Sequence, residues 1–291
     1  MATSKLNLYV SLVKPRVLQG NVITGIAGYL LAAGHFHHFR VGLFVATIVG
    51  MTLVIASACS LNNYLDRDID KLMERTKERA MAAGRLPGSG AVIFSAALWI
   101  VGMAILIVWV NLVVVIIGLV GFIVYVWLYG ALSKRRSIHG TLVGSISGAA
   151  PVVAGYCAVA DKIDATAIVL FLALFFWQFA EFYSIAIYRR KEYKAAGVPI
   201  MTVIKGVRST TVQIFIYTLL YVAATLTLSF MSVTGWVYFV VMTVFGLGFI
   251  RLGYNGLRLH GSDKWARKMF HYSLLNLMIF SLMLSVGSLL P

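Results

Sequence analysis

Asn62, Asp66 and Asp70 are spaced four residues apart, so on a helix an amide and two carboxylates share one slowly drifting face. Asp68, Glu74 and Glu78 follow closely, and the segment holds half of the chain's ten acidic residues. It also carries Arg67, Lys71, Arg75, Lys77 and Arg79. Hard oxygen donors of this kind suit a divalent cation. A calcium loop is excluded, because its turn glycine would fall at Lys71 and its closing glutamate at Lys77. A magnesium-bound diphosphate fits better: carboxylates repel a polyphosphate unless a metal bridges them, and nearby Arg and Lys take the remaining oxygens. The plain alternative is a solvated, salt-bridged loop at a membrane interface.

The elements that position these residues are apolar. The 291-residue chain is 60% hydrophobic and 12% charged, with a mean hydropathy of +0.88 and a formal charge of +15. A soluble domain has about 25% charged residues, so the solvent for most of this chain is lipid. The expected fold is all-α and polytopic, one domain over 1–291. Nine spans, near 17–34, 41–62, 91–110, 112–132, 141–160, 165–188, 211–231, 234–254 and 270–290, would surround a central cavity open to the cytoplasm. The basic segment before residue 17 has no cleavable pattern, so the first span is expected to stay.

Charge orders the loops. Of the 25 Lys and Arg, 23 fall on one side of such a layout, and only Arg40 and Lys162 lie opposite. The positive-inside rule makes the basic side cytoplasmic, with the N-terminus inside and the C-terminus outside. The excess of positive charge is therefore orientation and headgroup attraction, and implies no nucleic-acid partner. The long inner loops, about 63–90 and 189–210, are where chemistry is expected. Cys59 and Cys157 read as small core residues. His35, His37 and His38 fall on an outer turn, and His139, His260 and His271 on the inner side. Gly144, Gly148 and Gly155 have the spacing of close helix packing in lipid.

Taken together, the motifs resemble the UbiA superfamily of intramembrane prenyltransferases, and within it the branch that farnesylates heme. The resemblance rests on Asn62-x-x-x-Asp66-x-x-x-Asp70 and its extension Met73-x-Arg75-Thr76-x-x-Arg79. Further matches are Lys14-Pro15-Arg16, Tyr129 with Lys134-Arg135, the run from Gly144 to Pro151, Trp177-Gln178, the run from Lys191 to Pro199, Lys205-Gly206, and Trp265 to Lys268. It implies that Mg²⁺ is held by Asn62, Asp66, Asp70 and Glu192, and the diphosphate by Lys14, Arg75, Arg79, Lys134 and Arg135. Tyr129 would screen an allylic cation. The implied substrates are farnesyl diphosphate and heme B, with a heme A synthase or terminal oxidase as downstream partner in a bacterial inner membrane.

Two departures stand out. Arg79-Ala80 replaces the branch's usual Arg-Pro, and Trp177-Gln178-Phe179-Ala180-Glu181 replaces its Trp-Gln-x-Pro-His. On one continuous helix Glu181, Ile185, Tyr188 and Glu192 would share a face, which makes Glu181 a further catalytic candidate. Only Glu192 stands at the second acidic motif. The other readings are a prenyltransferase for a quinone precursor, which calls for a fuller second motif, and a cation-coupled transporter, which calls for charges deep within opposing spans.

Overall fold

A computed structural model describes residues 4–34, 39–287 and 290, so the expected outer histidines His35, His37 and His38 lie outside the described residues. Among the described residues every regular element is helical. Short α1 (Lys5–Leu12) precedes α2 (Pro15–Ala33) and α3 (Val41–Leu65). The first long loop carries α4 (Arg67–Asp70) and leads to α5 (Gly88–Trp109). Next, α6 (Leu112–Ile123) widens into a π-helical segment, Val124–Ser133, and closes with α7 (Lys134–Arg136). Then come α8 (Gly140–Ala160) and α9 (Ala165–Tyr188), followed by α10 (Arg190–Ala195) and α11 (Met201–Ile204) in the second long loop. The chain ends with α12 (Gly206–Phe230), α13 (Trp236–Arg258) and α14 (Asp263–Val286).

Local chemistry sets the boundaries. Asn111, Asp164 and Ser262 each accept the backbone N–H three residues on, capping α6, α9 and α14. Pro15 opens α2, where its missing N–H costs nothing. The Ser262 cap explains why α14 starts seven residues before the expected apolar run at 270: Trp265, Ala266 and Met269 in its first turns are buried.

Eight helical stretches among the described residues are long and apolar enough to cross a membrane. The expected ninth, the first span, is helical as α2 but is not one of them. Arg16, Gln19 and Asn21 in its first turns dilute its apolar character. Lipid-facing positions on the other spans explain exposed residues such as Ile93, Ile100, Ile107 and Leu119.

Successive long helices pack as neighbours, and α14 returns to α2, closing the order α2, α3, α5, α6, α8, α9, α12, α13, α14. Across this ring α2 packs directly on α8. Glycine makes that approach possible: a Cβ on Gly155 would strike the Gly25 carbonyl, and one on Gly28 the Val152 carbonyl. At one end of the bundle, Ile69 and Met73 of the first long loop bury themselves against Val198, Tyr193, Ala196 and Ile200 of the second. The two loops thus form one layer beside the C-terminal end of α3.

Candidate active site

Asn62, Asp66 and Asp70 are buried, with 1%, 1% and 3% of their surface exposed. Although α3 ends at Leu65, its hydrogen bonding runs on. The Asp66 N–H donates to the Asn62 carbonyl at 2.9 Å and the Asp70 N–H to the Asp66 carbonyl at 2.8 Å, which keeps the three side chains on one face. Thr76 Oγ1 donates to the Asp70 carbonyl at 3.0 Å and folds the loop back over them.

Facing this row is the π-helical segment. Nine residues separate Tyr125 from Lys134; in an α-helix that is two and a half turns, which sets them on opposite sides. The wider i→i+5 winding brings them round to the same side. Tyr125 Oη lies 3.5 Å from Asn62 Oδ1, and the Tyr125 and Tyr129 ring centroids are 5.7 Å apart. Lys134 Nζ lies 5.9 Å from the Tyr129 centroid and 2.6 Å from Asp66 Oδ2. Two glycines admit these rings and amides: a Cβ on Gly144 would sit 3.1 Å from the Tyr129 ring, and one on Gly130 3.0 Å from the Asn62 amide nitrogen.

Two further cations complete the cluster. Arg79 Nη1 donates to both Asp70 oxygens, at 2.9 and 3.1 Å. Lys14, whose backbone is left-handed at φ 50°, donates Nζ to Asn62 Oδ1. Burial pulls the Lys14 ammonium down to about 8, against partial support from Cys59 and Asp66. Three cations therefore meet two carboxylates, a surplus of positive charge suited to an anion.

Some acceptors are left over. Asp66 Oδ1 and Glu192 Oε2 are buried and have no hydrogen-bond partner, and Asn62 Nδ2 is an unpaired donor. Uncompensated buried polar atoms are costly, so these point to a ligand. Among the described residues no three His, Cys, Asp or Glu side chains are grouped to hold a metal ion by themselves. Asp66 and Asp70 with the Asn62 amide fit Mg²⁺, which takes one or two carboxylates and fills its octahedron with water and phosphate oxygens.

Comparison with known proteins gives the family. The UbiA prenyltransferase family model matches residues 21–275. The chain belongs to the UbiA prenyltransferase family. Protoheme IX farnesyltransferase of Protochlamydia amoebophila (strain UWE25) is 39% identical over 277 residues, 95% of this chain and 97% of that relative. The enzyme of the same name from Yersinia pseudotuberculosis serotype O:1b (strain IP 31758) is 40% identical over 278 residues, 96% of this chain and 94% of the relative. In fold, the chain is similar to a digeranylgeranylglyceryl phosphate synthase, with a TM-score of 0.82 at 20% identity, over 98% of this chain and 99% of that one. It is also similar to a UbiA homolog from Archaeoglobus fulgidus bound to GPP and Mg²⁺, with a TM-score of 0.69 at 13% identity, over 96% and 99% of the two chains.

Not every expected residue of this UbiA site converges. Arg135 grips Asp68 with two 2.7 Å bonds and also donates to the Leu65 carbonyl, so it braces the end of α3. That guanidinium holds the Asp68 carboxyl well below the usual carboxylate range. Arg75 is exposed, and among the described residues it forms no ion pair. Glu192 is held at 2.6 Å by Arg189. The shared face of Glu181 and Glu192 is corrected: α9 stops at Tyr188, Arg189 is non-helical at φ −111° and ψ 15°, and α10 starts afresh. Glu181 itself is half-buried in α9, and among the described residues it has neither a hydrogen bond nor an ion pair. His271 Nδ1 lies 2.7 Å from the Arg267 carbonyl on its own helix. The residue that sequence reasoning missed is Tyr125; its only signal was the four-residue spacing to Tyr129.

Proposed function

We propose that this prenyltransferase moves the farnesyl group of farnesyl diphosphate to a vinyl group of heme B, with addition of water, to give heme O. The observation that carries the reading is the buried Asn62, Asp66 and Asp70 row, with a partnerless Asp66 oxygen, set against Lys14, Lys134 and Arg79. Relatives about 40% identical over nearly the whole chain, all named protoheme IX farnesyltransferase, supply the acceptor.

Each residue then has a physical task. Asn62, Asp66 and Asp70 would hold Mg²⁺, which when bound supplies Lewis-acid stabilisation to the charge on a leaving diphosphate, while Glu192, held by Arg189, stands outside that group. Lys14, Lys134 and Arg79 take diphosphate oxygens, and their positive charge favours the state in which the allylic C–O bond has broken. Arg75 attracts the anion from the inner surface, and Arg135 keeps α3 and the π segment in register through Asp68. The Tyr129 ring, close to Lys134 and backed by Gly144, presents a π face to the allylic cation. The vinyl π electrons form the new C–C bond, and water then adds to the resulting carbocation and loses a proton. Glu181, with no other partner, is the group in α9 available to accept it.

The charge asymmetry supports a cytoplasmic N-terminus and a periplasmic C-terminus for the chain, read as one domain over 1–291 in a bacterial inner membrane. Its product would pass to a heme A synthase or terminal oxidase. The test is to incubate purified protein with heme B, farnesyl diphosphate and Mg²⁺ and to look for heme O by mass spectrometry. Product from 4-hydroxybenzoate and none from heme B would redirect the assignment to a quinone precursor.

A further inference from the structure

Beside the site, on the inner surface, a cleft of about 330 Å³ separates α1 from the loop after α4. Asn7 and Ser11 of α1 line one side; Arg75, Glu78, Arg79 and Arg85 line the other. The cleft is a built feature. Asn63 Nδ2 donates to the Leu12 carbonyl at 2.7 Å, which pins the end of α1 to α3, and Leu12 is buried with Ala80, Met81 and Leu86. Arg85 is fixed by donating to the Glu78 carbonyl. Arg79 belongs to both places: it lines the cleft, and its Nη1 rests on the carboxylate of Asp70.

We propose that this cleft is the route by which inorganic diphosphate leaves the site for the cytoplasm, with Arg79 handing it from the Asp70 side to Arg75 and Arg85. The proposal rests on the prenyl-transfer reading above. A multiply charged anion cannot depart through the hydrocarbon, where unpaired charge is expensive. The prenyl chain, being apolar, has the opposite preference and uses the bilayer. A cleft lined with three arginines against one glutamate focuses a positive field that draws an anion along it. Planar guanidiniums each offer paired donors, so phosphate oxygens can pass from one fork to the next without losing all their partners. Thr76, bonded to the Asp70 carbonyl, holds the loop that carries these arginines close to the carboxylate row.

The test uses full-length protein in detergent, loaded with Mg²⁺ and labelled inorganic pyrophosphate. Ser11→Trp fills the cleft, and Arg85→Ala removes one charge while leaving the site residues intact. Ser11→Trp is expected to slow release of the label about tenfold, with a matching fall in steady-state turnover, while a single turnover with enzyme in excess is unchanged. Arg85→Ala is expected to slow binding of added pyrophosphate about tenfold, and less so at high salt. Release and binding rates equal to the parent's in both variants would overturn the proposal, as would an equal loss in the single turnover. Because the label reads diphosphate directly, a failure of heme B as acceptor would show separately, as absence of heme O from the parent enzyme.

Discussion

Lys134 Nζ stands 2.6 Å from Asp66 Oδ2, so a buried carboxylate assigned to a metal already holds a half-buried cation. Arg79 on Asp70 repeats the arrangement, and Lys14 rests on the neutral Asn62 amide oxygen. Adding a divalent ion alone to a cluster with surplus positive charge is opposed by Coulomb repulsion, whereas adding it with a diphosphate lets each cation move from carboxylate to phosphate. Mg²⁺ and pyrophosphate are therefore expected to bind synergistically, with a coupling on the order of 1–3 kcal/mol. Calorimetry with each ligand alone and both together measures it. Lys134→Met should strengthen binding of Mg²⁺ by itself; tight binding of Mg²⁺ alone to the unmodified protein would refute the exchange.

The same pair separates catalysis from stability. Asp66→Asn is expected to lower heme O formation by a factor on the order of 10²–10³. It also leaves Lys134, whose side chain is 20% exposed, without its acid, at about 3 kcal/mol. The protein should still insert and fold, with a lower melting temperature in detergent. Combining Asp66→Asn with Lys134→Met should restore the melting temperature but not turnover. Asp70→Asn should behave as Asp66→Asn does in turnover. Near-parental activity in both single variants would remove the metal role.

The carboxylate row was legible because it depends only on helical spacing, and hydrogen bonds between consecutive four-residue steps preserve that spacing through the end of α3. The spans were legible from hydropathy, except where α2 mixes polar side chains into its first turns. The partners were not. That Arg135 belongs to Asp68 while Lys134 belongs to Asp66 follows from the π-helical winding of Val124–Ser133, which no periodicity in this apolar run announces. The break at Arg189 was equally hidden: it sits in a basic, helix-compatible stretch, and tertiary packing of the two loops decides it. Even the glycines divided by partner, Gly155 meeting the backbone of α2, Gly148 the Gln178 amide and Gly144 the Tyr129 ring.

Glu181 gives the sharpest test of the departure from the family pattern. One turn earlier on α9, Trp177 Nε1 donates to the Ser273 carbonyl at 2.8 Å and Gln178 Nε2 to the Ser145 carbonyl at 3.0 Å, so the backbone here is fixed independently of Glu181. Glu181→Ala removes no hydrogen bond and should leave the melting temperature unchanged. An ionisable group within a span that serves no structural pair is expected to act on substrate, and turnover should fall. Glu181→His, which restores a proton acceptor, should retain turnover; complete loss in that variant would mean that a carboxylate specifically is required.

Packing between α2 and α8 is open to an equally direct test. Gly28 lies where a Cβ would run into the Val152 carbonyl, a backbone atom that cannot rotate aside. Gly28→Ala must push the helices apart, at about 1–3 kcal/mol. Gly20, just over two turns earlier on the same helix, has no heavy atom within 4 Å of a built Cβ, so Gly20→Ala should be neutral or slightly stabilising through helix propensity. Thermal unfolding of the two variants in the same detergent gives the comparison. Equal melting temperatures would mean that α2 and α8 are not held at the separation described, and the contact across the helix ring would have to be redrawn.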